Sequence, residues 1–231
     1  MKKNIVVLTG AGISAESGIK TFRDADGLWE GYDIMEVASP QGFKNNPTLV
    51  LDFYNQRRKQ LSSVKPNAAH YALTSLQDHF NVNIITQNVD NLHESSGSKQ
   101  VIHLHGELLK ARSSIDKNLI LPWNKNIEIG NLCSKGSQLR PHIVWFGEDV
   151  PMMDKAIEIT KKANALLIIG TSMQVYPAAG LIDYAPTNIP IYFIDPYPKI
   201  TKNDYNNLTI IAESATKGVP IAVNSLIDIM L

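Results

Sequence analysis

His103 and His105, in the run His103-Leu104-His105-Gly106, put two imidazoles on one face of any strand they belong to. Such a pair suits half of a metal site, two satisfied structural histidines, or a general base, since imidazole exchanges a proton near neutral pH. No third and fourth ligands are spaced around them as a metal-dependent hydrolase needs, which leaves the structural and proton-transfer readings open. Two further polar clusters follow apolar runs: Thr86-Gln87-Asn88-Val89-Asp90-Asn91-Leu92-His93 and Gly170-Thr171-Ser172. Asn, Asp and Ser in such places either cap helices or line the ligand crevice at the strand ends of an open α/β sheet. Recurrence of these clusters favours the crevice.

Gly10-Ala11-Gly12-Ile13-Ser14-Ala15 follows Ile5 to Leu8 and reads G-x-G-x-x-A at a strand-to-helix turn. In a dinucleotide site Gly10 permits the turn, Gly12 admits a pyrophosphate, Ala15 allows close helix packing, and free N–H groups face the anion. A plain structural turn is the alternative. No second strand ends in an acidic residue ~20 positions on; Thr21 to Trp29 stands there instead, a polar, aromatic loop able to fold over a cofactor. A further anomaly lies in Pro47 to Val64, whose stripe Val50, Phe53, Arg57, Leu61, Val64 places a guanidinium where an apolar side chain belongs, with Tyr54 on the adjoining surface. An inward Arg needs an anion or must snorkel to a surface acid.

The elements that must position these groups alternate. Ile5–Leu8, Val82–Thr86, Ala165–Ile169 and Ile189–Ile194 predict buried parallel strands, and Val101–Leu104, Ile143–Trp145 and Leu208–Ile211 weaker ones. Helical periodicity covers 47–64, 67–79, 152–163, 178–184 and 215–230. Strands separated by helices imply right-handed crossovers in a doubly wound α/β sheet. Two polar, turn-rich stretches read as insertions forming a small lobe, 32–80 and 106–140, beside a Rossmann-type domain of 1–31, 81–105 and 141–231.

Composition narrows the partners. Over 231 residues, 22 basic and 22 acidic side chains cancel, so no field gathers a polyanion, and neither nucleic acid nor an anionic membrane is expected. The apolar run Ile5–Leu8 is too short for a signal segment and no stretch approaches a membrane span. One cysteine, Cys133, excludes an internal disulfide and suggests the cytoplasm; a monomer is the simplest expectation.

Taken together, Gly10 to Ile19, Phe22-Arg23, Thr86 to His93, His105-Gly106, Val144-Trp145-Phe146-Gly147-Glu148 and Gly170-Thr171-Ser172 resemble the sirtuins, in that family's order and across nearly the whole chain. The resemblance implies a Rossmann-type domain with a small helical and zinc-ribbon lobe, and NAD-dependent removal of acyl groups from lysine in proteins or peptides, giving nicotinamide and O-acyl-ADP-ribose. His105 would accept a ribose proton, Asn88 would hold ribose and an ordered water, Gln87 the ribose, and Asp90 the nicotinamide amide. Phe22 would shield the reacting centre. Arg23, Gly10, Ala11, Gly12, Ala15 and Glu16 would bind the phosphate region, and Gly170, Thr171, Ser172, Asp195 and Ala215 the rest of the ADP-ribose. Val144, Phe146, Gly147 and Glu148 would form a strand that pairs with substrate backbone. Tyr54-x-x-Arg57 resembles the signature of class III members, implying a succinyl, malonyl or glutaryl carboxylate as the anion Arg57 needs, with deacetylation alongside.

The chain departs from that family at the metal. Of the two cysteine pairs expected between His105 and Val144, only Cys133 is present, and Ser113 stands where a first cysteine would fall; one thiolate does not make a zinc site. No zinc is therefore expected, and Leu119, Ile120, Leu121, Trp123, Ile127, Ile129 and Leu132 are expected to hold the lobe by packing. Asp195 stands where the family more often has Asn. An NAD glycohydrolase or ADP-ribosyltransferase, and a non-catalytic module binding NAD or acyl-lysine, are the competing readings; retention of Asn88, Asp90 and His105 argues against the last.

Overall fold

The Ile/Val/Leu-rich runs are apolar on both faces and can be buried only in a sheet covered on both sides. In the computed structural model, which describes residues 2–20, 28–201, 204–205 and 207–231, they are. β1 (Asn4–Thr9) leads through α1 (Gly12–Ala15) and a small ribbon, β2 (Leu28–Trp29) and β3 (Tyr32–Asp33), into α2 (Ile34–Val37), α3 (Pro40–Asn45), α4 (Pro47–Leu61) and α5 (Ala68–Ser75). β4 (Asn81–Thr86), α6 (Leu92–Ser95) and β5 (Val101–His103) follow, then β6 (Gly106–Ser113), β7 (Ile120–Pro122) and β8 (Leu139–Ile143). The order continues with α7 (Met153–Thr160), β9 (Ala165–Ile169), a 3-10 helix at Ala178–Tyr184, β10 (Ile191–Ile194), β11 (Leu208–Ile211) and α8 (Ala215–Met230).

Six strands form one parallel sheet in the order β11-β10-β9-β1-β4-β5. Successive side chains of β1 point to opposite faces: Ile5 and Val7 join Leu73 of α5 and Val219 and Val223 of α8, while Val6 and Leu8 join Ala156 of α7 and Leu181 and Ile182 of the 3-10 helix. β6, β7 and β8 make a separate antiparallel sheet. It packs on the α2–α4 helices through Val50, Phe53, Tyr54, Leu108, Ile143 and Trp145. α3 and α4 each start on a side-chain cap followed by Pro at the first turn, where its missing N–H costs nothing: Ser39 Oγ accepts Gly42 N–H at 2.9 Å and Asn46 Oδ1 accepts Leu49 N–H at 3.1 Å.

Several expectations need correction. Ile143–Trp145 is not a strand of the parallel sheet; β8 lies in the antiparallel one and stops at Ile143, because Trp145 N–H is captured by the Glu148 carboxylate at 2.9 Å. Residues 178–184 form a 3-10 rather than an α-helix, and the helix expected over 67–79 ends at Ser75 before a 3-10 turn, Leu76–Asp78. In the antiparallel lobe Ile127 is buried with Leu119, Leu121 and Trp123 partly so, but Ile120, Ile129 and Leu132 are exposed; the buried partners are Leu51, Ala111, Cys133 and Leu139.

Candidate functional site

Strand register builds the site. β1 and β4 pair Thr9 with Thr86, and β1 and β9 pair Thr9 with Ile169, so three central strands end level and release Gly10, Gln87 and Gly170 side by side. Here a cavity of about 800 Å³ opens, a size suited to a cofactor and substrate together. Its walls include Gly10, Ala11, Gly12, Gln87, Asn88, Asp90, His105, Gly170, Thr171 and Ser172, with Tyr54, Arg57, Val144, Phe146, Gly147 and Glu148 on the side of the antiparallel lobe.

The two histidines divide their tasks. His105 Nδ1 donates to the Gln87 carbonyl at 3.0 Å, which fixes the tautomer and leaves Nε2 to the cavity; burial lowers its pKa, so the ring is neutral at pH 7. His103 instead turns its Nδ1 to the Asn88 carbonyl at 2.9 Å and its Nε2 to Glu94 Oε1 at 2.8 Å. Burial disfavours its charge, but Glu94 and the carbonyl outweigh burial and raise its pKa. The pair thus grips consecutive carbonyls of one loop. Neither belongs to a metal cluster, and among the described residues no three His, Cys, Asp or Glu side chains form one.

Asn88 and Asp90 are held from the glycine turn. Asn88 Nδ2 donates to Gly10 O and Ser14 Oγ, each at 3.2 Å, and Asp90 accepts from Ser14 Oγ and Leu92 N–H, each at 3.0 Å; burial raises the Asp90 pKa against both bonds. Gln87 Nε2 donates to Thr171 Oγ1 at 3.2 Å, tying two strand ends. Ser14 was not singled out from sequence, although its place two residues after Gly12, on a turn whose glycines carry no side chains, is the signal for it.

The glycines act differently from expectation. Gly10 N–H donates to Ile169 O at 3.0 Å and Gly12 N–H to Gly170 O at 2.8 Å, so neither is free for an anion. A Cβ on Gly10 would meet Gly170 O at 2.7 Å, and one on Gly12 would meet Gly170 Cα at 2.6 Å. These positions are glycine because two turns interlock. Four residues of the expected cofactor set do not reach the cavity: Ala15, Glu16, Asp195 and Ala215 are absent from its walls. The Glu16 carboxylate accepts Thr216 N–H at 2.9 Å, Thr216 Oγ1 at 2.6 Å and Ser214 Oγ at 3.0 Å; burial raises its pKa, but these bonds prevail and lower it. Asp195, 1% exposed, accepts Tyr197 N–H at 2.9 Å. Phe22 and Arg23 lie outside the described residues.

At the other wall, Val144–Glu148 is a turn, not a strand offering a ladder. Val144 N–H donates to His105 O, Phe146 N–H to Ala38 O, Glu148 N–H to Trp145 O and Trp145 N–H to Glu148 Oε2, so pairing with a peptide through these donors is blocked. Glu148 also receives Arg112 and Arg140 at 2.7 and 2.8 Å, so its carboxylate braces this wall. Tyr54 is fully buried, with its hydroxyl accepting Trp145 Nε1–H at 3.0 Å. Arg57 Nη1 donates to Phe53 O at 2.8 Å, its guanidinium lies 3.4 Å from the Phe53 ring centroid, and its Nε is buried without a partner. No carboxylate among the described residues pairs with it, and burial lowers its pKa. Arg58, more buried than Arg57 and overlooked in the periodicity, bridges instead to Leu108 O and Asn55 Oδ1 at 2.8 and 2.7 Å.

The expected metal position holds hydrogen bonds. Ser113 Oγ accepts Ile115 and Asp116 N–H at 3.2 and 3.1 Å and lies 2.8 Å from Ser137 Oγ, which is 3.2 Å from Cys133 Sγ; Lys135 bridges to Asp116 at 2.7 Å. The donors gathered here are one thiol, Cys133, and one carboxylate, Asp116, already engaged by Lys135, short of the four ligands zinc requires. The residues do not fit a zinc ion.

The Sir2 family model matches residues 10–177. An NAD-dependent protein deacylase of Helicobacter pylori is 58% identical over 226 residues, 98% of each chain, and one of Bacteroides thetaiotaomicron is 50% identical over 223 residues, 94% of this chain and 95% of that one. Among solved structures, a Sir2 homolog–NAD complex superposes with a TM-score of 0.86 at 36% identity, covering 100% of this chain and 91% of the other. Sir2Af2 bound to a myristoylated histone peptide does so at 0.73 and 31%, covering 99% and 92%.

Proposed function

Since the chain belongs to the Sir2 family and is an NAD-dependent protein-lysine deacylase, we propose that it prefers lysines carrying a short acidic acyl chain, succinyl or malonyl, with acetyl as a poorer substrate. The observation that carries this is Arg57: a guanidinium on the cavity wall, seated on Phe53, with a buried Nε and no carboxylate partner among the described residues. A substrate carboxylate completes it, and bidentate pairing supplies both energy and orientation. Tyr54, fixed by Trp145, flanks the same wall. Loss of a charge-assisted hydrogen bond costs about 1.5–3 kcal/mol. Arg57→Met should therefore raise KM for succinyl-lysine peptide roughly tenfold or more while leaving that for acetyl-lysine within about twofold. Equal losses on both substrates would overturn the assignment.

NAD fits the cavity at the strand ends and, when bound, supplies the ribose carbon that takes the acyl oxygen and the nicotinamide that leaves. The chain's own groups do the rest. Asn88, steadied by Gly10 and Ser14, would hold ribose and water; Asp90 would accept the nicotinamide amide; and His105 Nε2 would take a proton from a ribose hydroxyl, for which a neutral imidazole is the right form. Phe146 and Gly147 shape the entrance for the peptide. NAD consumption with and without succinyl-lysine peptide separates deacylation from glycohydrolysis, and peptide-independent turnover would favour the latter.

The antiparallel lobe, on this reading, is folded without metal, the Ser113–Ser137–Cys133 cluster and the Lys135–Asp116 pair standing in for zinc. Purified protein should carry no stoichiometric zinc and keep its activity and Tm in chelator; one zinc per chain would refute it. The free thiol fits a cytoplasmic enzyme.

A further inference from the structure

Behind the site lie two buried imidazoles that the chemistry does not use. His70 of α5 and His93 of α6 are 0% and 1% exposed, with ring centroids 5.0 Å apart. Each is tied down on one side. Asn67 offers His70 Nδ1 both its N–H, at 3.3 Å, and its Oδ1, at 3.1 Å. Because Oδ1 already accepts Ala69 N–H at 3.0 Å and the capping box of α5 gives Asn67 N–H no other acceptor, we assign Nδ1 as acceptor and the His70 proton to Nε2. His93 Nε2 lies 3.0 Å from Thr9 Oγ1, and Thr9 gives its single hydroxyl proton to Thr86 Oγ1 at 2.8 Å. His93 Nε2 must therefore be the donor, which leaves Nδ1 with a lone pair. His70 Nε2, a donor, and His93 Nδ1, an acceptor, are both buried without a partner. The chain of bonds ends at the site, because Thr86 Oγ1 also accepts the N–H of Asn88 at 3.0 Å.

We infer that His70 Nε2–H and His93 Nδ1 are joined, directly or across one water, into a proton-ordered chain from Asn67 through His70, His93, Thr9 and Thr86 to the backbone of Asn88, and that His93 is thereby a positioning residue for the deacylase reaction. The complementary protonation of two otherwise orphaned nitrogens on adjoining rings is the observation behind it. The arrangement works only with both rings neutral. Burial lowers the pKa of each, and the neighbouring imidazoles His70 and His103 oppose a charge on His93 as well. A doubly protonated His93 would set a donor against the His70 donor and break the chain at its middle. The functional half of this inference rests on Asn88 holding the ribose; the tautomer half does not.

Imidazole 15N NMR of the wild-type enzyme at pH 7 should find both rings neutral and protonated at Nε2; an Nδ1-protonated ring or an imidazolium at either position would overturn the chain. Kinetics then test its role. Thr9→Val, which keeps the shape but removes the hydroxyl, should lower kcat about tenfold with KM for NAD within about threefold, whereas Thr9→Ser should stay near wild type. His93→Gln, whose amide reaches the Nε2 position, should retain kcat, and His93→Asn should not. A wild-type kcat in Thr9→Val, or equal losses in each pair tracking Tm alone, would overturn the positioning role. Loss of the ribose reading would show separately, as an active Asn88→Ala enzyme with the tautomers unchanged.

Discussion

His105 reaches the state its task requires through one bond and its burial. The Gln87 carbonyl takes Nδ1–H, and loss of solvent depresses the pKa below that of a free imidazole, 6.5. Because the neutral ring is the active form, activity is lost only as pH falls through that depressed value, so the acid limb of kcat/KM should lie below pH 6.5. A limb centred above 7 would contradict the assignment. His105→Ala should remove turnover by a hundredfold or more, about the contribution of a positioned acid–base group, while leaving NAD binding measurable by calorimetry. Arg57 and Arg58 show what is and is not legible in side-chain types. Both are arginines on one helix, and periodicity marks Arg57 as the one facing inward; the structure buries Arg58 more deeply because the Leu108 carbonyl and Asn55 receive it. Of the two, Arg57 is the one on the cavity wall, and it keeps a buried Nε with no paired acid among the described residues.

Elements carry the second scale. Glu16 follows α1 and reads as a phosphate-region residue, yet it clasps the first turn of α8, 200 positions away, through Thr216 and Ser214. Glu16→Gln should thus lower Tm by several degrees, the effect of about 1–2 kcal/mol lost from charge-assisted bonds, and change KM for NAD by less than about twofold. A KM effect without a Tm effect would return Glu16 to the cofactor. The strands of the parallel sheet were plain in the sequence because burial on both faces demands unbroken Ile, Val and Leu, as in Ala165–Ile169. Short antiparallel strands such as β7 and β8 were not: Arg140 and Pro141 sit inside β8, and what makes them strand is a distant partner, β6, together with Glu148, which pairs with Arg140. The site positions at strand ends were legible for the same reason as the strands. The turn at Val144–Glu148 and the clasp at Glu16 were hidden, because each depends on a bond across the fold that no local pattern announces.

For the whole molecule, buried histidines link stability to pH. His70 and His142 are both held near 4 by burial, against 6.5 for a free imidazole, so between those values the unfolded chain binds more protons than the folded one. Their contribution is present in full above pH 6.5 and declines as pH falls toward 4, by on the order of 3 kcal/mol for His70 and less for the partly exposed His142. Urea midpoints taken from pH 7.5 to 4.5 should fall steadily; a flat profile to pH 5 would show that these rings are not held neutral by burial. The three level strand ends bear on the molecule as a lineage too. Gly170 approaches both Gly10 and Gly12 more closely than a side chain on either allows, so tolerance at those two positions depends on the turn at Gly170. In a library of all single substitutions scored for function, these three should be among the least permissive positions, no pair of changes among them should rescue another, and the sequence space around this active site is correspondingly narrow where it looks most plain.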